Sequence, residues 1–214
     1  MKIHHAITAA ALSAFVCNVF GADDRMPPIP AEKLTEAQKK SIELLSEGTP
    51  AGGAPRNVSA GPWVPLLRSP ELLNRLQRMG AYLRYESAFE PRLSEFVILL
   101  TARQWSNQYE WLAHQKLALK AGVSQPVAQA IAEGRRPTGM SADEEALYDF
   151  IDELDRNKSI SDPTYARIKD KFGERGVIDL IAINGYYSML AAVLNVAQSP
   201  LPGNAPQQIP TLPR

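Results

Sequence analysis

The chain has 214 residues, room for one domain with a substantial core or for two small ones. A hydrophobic share of 45% against 21% charged residues excludes an intrinsically disordered chain. A formal net charge of zero, with no long basic run, argues against a nucleic-acid partner, because phosphate binding needs clustered Lys and Arg.

The N-terminus reads as a secretory signal peptide over residues 1–21. Lys2 precedes the apolar run "AITAAALSAFVCNVF", which is too short for a comfortable membrane span, and Gly21, Ala22 and acidic Asp23 and Asp24 follow. An uncleaved membrane anchor is the alternative reading. Cleavage predicts a periplasmic or secreted protein, free of the membrane. It removes Lys2, His4, His5 and Cys17, which lowers the formal charge to minus one. His114 is then the sole histidine, and no thiol, disulfide or cysteine metal site remains.

Residues 22–60 read as an arm: a Pro-rich lead, then an amphipathic helix within "PAEKLTEAQKKSIELLSEG" closed by Gly48. The Gly- and Pro-dense "TPAGGAPRNVSAGPWVP" is predicted to be irregular; long ordered loops often cover sites, which marks Arg56 and Trp63 for attention. Residues 61–201 read as one helical domain. "SPELLNRLQRMGAYLRYES" opens with Ser69 as N-cap and Pro70 at the first helical position, and "EPRLSEFVILLTARQW" repeats that pattern with Pro91. Helices ending at Gly122 and Gly134 follow. The next has capping-box spacing from Ser141 to Glu144, and a short one closes at Gly173. The last, "ERGVIDLIAINGYYSMLAAVLNVAQ", is apolar on most sides. Asp179, Asn184 and Asn195 argue against a membrane span, so a central or interface-forming helix is expected. Residues 202–214 form a Pro-rich tail, expected to be loosely held. No strand pattern competes. The fold expected is all-α, with one domain and an N-terminal arm.

On a helical wheel, Asn107, Glu110 and His114 share an arc of roughly 60°. Trp111, Leu117, Ala118 and Ala121 flank them, while Gln108, Gln115, Lys116 and Lys120 face away. This favours a partly buried polar cluster. A surface Glu–His pair at i,i+4 is the plainer alternative. Glu95 sits in an apolar run and must find a donor or stay protonated; Arg84, Arg92 and Arg103 are the available ion-pair partners.

The pattern of Glu95, eleven residues, Asn107, two residues, Glu110, three residues and His114 resembles a family signature. It is similar to the Glu-x11-Cys-x2-Cys-x3-His motif of alkylhydroperoxidase D-like proteins, within the wider carboxymuconolactone decarboxylase family. "RSPELLNRLQRMGAYLR", "LSEFVILLTARQW", "YEWLAHQKLALKAG" and "GERGVIDLIAINGYYSMLAAVLN" extend the resemblance over residues 61–201. It implies an alkylhydroperoxidase D-like helical fold and homo-oligomers, trimeric or hexameric. Asn107 and Glu110 stand where the redox branch has its cysteines. Neither does thiol chemistry, so a thiol peroxidase is excluded.

The branch without the cysteine pair implies a cofactor-free acid–base enzyme resembling 4-carboxymuconolactone decarboxylase, acting on a small unsaturated acid or lactone. His114 is then the expected proton donor, Glu110 sets its charge and orientation, and Glu95 is a second acid or an orienting group. Arg84 or Arg103 is expected to hold the substrate carboxylate. Trp105, Trp111 and Tyr85 are expected to wall the pocket, with Asn107 also contacting substrate. Two rival readings stay open: a metal site built from His114, Glu110 and Glu95, and a non-catalytic periplasmic binding or assembly protein.

Overall fold

The computed structural model describes residues 24–47 and 57–211. The expected signal peptide, Gly48 and Arg56 lie outside the described residues. Among the described residues the protein is all-α, with eight helices: α1 Glu36–Ser46, α2 Trp63–Leu66, α3 Pro70–Tyr85, α4 Pro91–Gln104, α5 Gln108–Ala121, α6 Gln125–Ala132, α7 Ala142–Asn157 and α8 Asp162–Ala197.

Helix α4 is the most enclosed. Leu93, Phe96, Val97, Ile98, Leu99 and Ala102 are buried, and so are its polar residues Ser94, Glu95, Thr101 and Arg103. It packs against α3, α5, α6, α7 and α8. Helix α8 also packs against five helices, α2, α3, α4, α5 and α7, so it shares the centre of the fold with α4. Helix α8 buries one side and leaves Ile178, Ile181 and Val196 exposed. By length and composition it is apolar enough to cross a membrane, but 56% of its most apolar window is buried within the protein. Buried Asp179 on α8 accepts hydrogen bonds from the Tyr82 hydroxyl at 3.0 Å and the Ala88 amide at 2.8 Å, so its polar atoms are satisfied internally.

Several boundaries differ from the sequence expectation. The first helix starts at Glu36 rather than near Pro30. Ala31–Lys33 is a single 3-10 turn, Leu34 is extended, and Thr35 with Gln38 forms a reciprocal capping box that restarts the chain. Trp63–Leu66 is a helical turn where irregular chain was expected; Pro62 and Pro65 are tolerated within a first turn. Ser69 stands at its N-cap position without a side-chain capping bond. The box from Ser141 to Glu144 is present. At Gly173, φ 71° and ψ 177° interrupt α8, the break that the sequence places there.

The arm and the tail are both packed. The Gln77 side chain donates to the Leu44 carbonyl at 3.1 Å, tying α1 to α3. The tail is held more firmly than expected: Ile209 is buried, and Gln108 accepts from the amides of Gln208 and Ile209. Arg103 Nη1 donates to the Pro210 carbonyl at 2.8 Å.

The α4–α5 turn sets the geometry of the polar cluster. Ser106 adopts φ 47°, its amide bonds the Arg103 carbonyl, and the Asn107 amide bonds the Ala102 carbonyl. The chain reverses within three residues, and α5 runs back along α4. That hairpin brings His114 beside Glu95.

Candidate active site

Glu95, Glu110 and His114 are 6%, 3% and 7% exposed. Burial separates them from an ordinary surface Glu–His pair, which would be solvated on both sides. His114 Nδ1 lies 2.7 Å from Glu95 Oε2. With Glu95 as acceptor, Nδ1 carries hydrogen and Nε2 faces the other way, toward Glu110 Oε2 at 3.6 Å. That second separation is too long for a hydrogen bond. Of the two roles open to Glu95, the orienting one matches this contact: Glu95 holds the imidazole at Nδ1, and Glu110 lies across its second nitrogen. Tyr187 holds the ring edge-on, with centroids 5.0 Å apart.

Glu110 is the third residue of α5, where the helix dipole favours negative charge. Arg84 is in the last turn of α3, where the dipole favours a cation. Its Nη2 lies 3.8 Å from Glu95 Oε1, and its guanidinium centre lies 5.4 Å from the Tyr85 ring centroid. Burial alone would lower its pKa. The Coulombic pull of the acidic groups around it, the phenols of Tyr187, Tyr85 and Tyr186 once ionised and the Glu95 carboxylate, outweighs that, and the value stands above that of an ordinary arginine. Burial pushes the Tyr187 phenol well above its ordinary value, so it stays neutral at neutral pH. A protonated His114 would leave these two carboxylates, imidazolium and guanidinium neutral as a group.

His114, Glu110 and Arg84 open together on a cavity of about 320 Å³. Its aromatic wall comprises Trp63, Tyr85, Tyr109, Tyr186 and Tyr187. Glu95 sits behind His114 and does not line it. The size lies near the lower end for small-molecule sites. Among the described residues, Arg84 makes no hydrogen bond, so its guanidinium donors remain available to an anion in the cavity.

Four other residues expected at the substrate are elsewhere. Asn107 caps α5: its Oδ1 accepts from the Glu110 amide at 2.8 Å, and its Nδ2 donates to the Ala191 carbonyl and to Asn195 Oδ1. Those bonds use its side-chain amide within the fold. Trp111 is fully buried in the hydrophobic core. Trp105 is 39% exposed on the surface. Arg103 borders a different cavity of about 240 Å³, with Leu100, Gln104, Tyr148 and Asp155, and none of the described residues lines both.

The metal-site reading loses its geometry. Glu95 and Glu110 address opposite nitrogens of one ring, so the three side chains do not converge on a common point. Among the described residues no group of three or more His, Cys, Asp or Glu is arranged to hold a metal ion.

Sequence reasoning did not assign Tyr109, Tyr186 and Tyr187. The adjacent tyrosines of "GYYS" within an apolar helix are a recognisable signal, because each buried hydroxyl needs a partner or a cavity.

Comparison with models of known families gave no match. Comparison with curated proteins gave none either.

Proposed function

We propose that this chain is an exported, cofactor-independent acid–base enzyme of the alkylhydroperoxidase D-like fold, acting on a small unsaturated carboxylic acid or lactone. The observation that carries this reading is the His114 imidazole. Glu95 anchors it at 2.7 Å, and its other nitrogen is turned toward Glu110 beside a cavity that Arg84 also lines. The resemblance of Glu95, Asn107, Glu110 and His114 to the family signature supports the same branch, with both thiol positions replaced.

The reaction is a decarboxylation conjugated to a carbonyl. The bond between carbon and the departing carboxylate breaks, and its electron pair moves into the conjugated carbonyl as a dienolate. Carbon dioxide leaves. The dienolate then takes one proton at carbon from His114 Nε2, and the imidazole regains a proton from solvent. Arg84 holds the carboxylate or carbonyl oxygen that stays with the product, where charge develops. Glu110 lies close to Nε2, on the side from which the proton is delivered. Glu95 keeps Nδ1 engaged, so the exchanging proton stays on the cavity side.

Export rests on the N-terminal sequence. Assembly into a trimer or hexamer is part of the same proposal, and exposed Ile178, Ile181 and Val196 on α8 support an apolar contact face.

The test is mass spectrometry of a panel of small unsaturated acids and lactones incubated with the protein and with His114→Gln. Loss of carbon dioxide in the parent, slowed about 10²- to 10⁴-fold in the variant, is expected. Equal conversion by both removes His114 from the chemistry. Ligand binding without conversion, unchanged in Glu110→Gln, supports the non-catalytic binding protein instead.

A further inference from the structure

A second cavity, of about 340 Å³, adjoins the one at His114, and the two share Asn57, Ala60 and Tyr109 as a common wall. Their characters differ. The His114 cavity contains Arg84, Glu110 and His114. The second is lined by Pro28, Val64, Pro200, Leu201 and Pro202 among others, and among the described residues that line it Asp24 is the one that carries charge.

Tyr109 is the largest side chain of the shared wall. It sits in the first turn of α5, one residue before Glu110. Its ring lies over Gly61: a Cβ there would be 2.6 Å from the phenol oxygen and 2.7 Å from Cζ. Gly61 therefore leaves room for the ring, and its φ of 69° suits glycine. Among the described residues the Tyr109 hydroxyl has no hydrogen-bond partner, and the side chain is half-buried. The ring is thus held by packing alone. A change of rotamer costs it no hydrogen bond.

The geometry points to Tyr109 as a displaceable partition between two subsites. The ligand that uses both is an elongated monocarboxylic acid: its charged, unsaturated head lies against Arg84 and His114, and its uncharged tail passes Tyr109 into the Pro-lined cavity. This rests on the acid-binding reading of the His114 cavity and extends it from small unsaturated acids to acids with a linear substituent. Asp24 disfavours an anionic tail.

The test is calorimetric binding of cinnamate and of para-phenylcinnamate to the purified chain and to Tyr109→Ala, Tyr109→Trp, Tyr109→Phe and Arg84→Met. The readout is the ratio of the two Kd values, long acid over short. Tyr109→Ala is expected to lower that ratio about three- to tenfold, the size of a rotamer displacement. Tyr109→Trp is expected to raise it, and Tyr109→Phe, which keeps the ring and its packing, to hold it. Cinnamate binding that weakens in Arg84→Met, with one ratio across all Tyr109 variants, overturns the partition and leaves the acid site standing. Failure of both acids to bind, or binding unaffected by Arg84→Met, overturns the acid site itself and the partition with it.

Discussion

The two cavities holding Arg84 and Arg103 show how differently two arginines of similar sequence context can be used. Both occupy the last turn of a helix, where the macrodipole favours a cation. Among the described residues Arg84 makes no hydrogen bond; it lies near Glu95 and faces the space that His114 and Glu110 border. Arg103 spends its Nη1 on the Ser106 hydroxyl and the Pro210 carbonyl, and burial lowers its pKa without an opposing acid. One arginine lines an open cavity; the other fastens the tail. The difference lies in what the fold brings to each guanidinium, not in the helix that carries it.

Four substitutions sharpen that contrast. The largest expected effect is from Trp111→Ala. The indole is fully buried in the core, so urea unfolding should show a loss of about 3–5 kcal/mol. Full stability with selective loss of ligand binding would return Trp111 to the pocket. Asn107→Ala is next. It removes the α5 cap and the bonds to Ala191 and Asn195, and a loss of about 1–3 kcal/mol is expected in the same measurement. Arg103→Met should cost about 1–2 kcal/mol and speed hydrogen exchange at the Gln208 and Ile209 amides, while binding at the Arg84 cavity is retained. Weakened acid binding in that variant, without tail release, would collapse the distinction between the two arginines.

The smallest effect concerns Asp155, in the Arg103 cavity. Burial raises its pKa above the reference value of 3.8, despite hydrogen bonds from Gln104 and Asn184. The folded state therefore holds that proton more tightly than the unfolded chain. Its contribution is fully present below pH 3.8 and is lost as pH rises through the folded value. The Tm of Asp155→Asn minus that of the parent should consequently grow with pH, by about one or two degrees toward neutrality. A difference independent of pH would contradict the burial effect.

Much of this was legible in the sequence, for physical reasons that also mark where legibility stopped. Helical periodicity put Glu110 and His114 on one side of α5, and a carboxylate in the run "LSEFVILL" marked Glu95 as a buried group needing a donor. Their convergence, however, depends on the α4–α5 reversal at Ser106, whose positive φ no propensity announces. Asn107 was placed on the wheel as a site residue, although an Asn three residues before a Glu is also a helix-start signal. Capping won because the α5 amides needed an acceptor. The aromatic wall draws on α2, α3, α5 and α8, so periodicity within any one helix does not reveal it. The tail looked loose because its prolines break regular structure, yet one buried Ile209 and two side chains from the α4–α5 turn suffice to hold it.

The central claim is that His114 exchanges a proton with substrate from the cavity beside Arg84. The pH–rate profile of the parent and of His114→Gln, on the acid or lactone that the parent converts fastest, tests it most directly. The account predicts a parent profile shaped by an ionising group, and a variant that is slower by about 10² or more with that ionisation gone. A variant profile that superimposes on the parent's would contradict it.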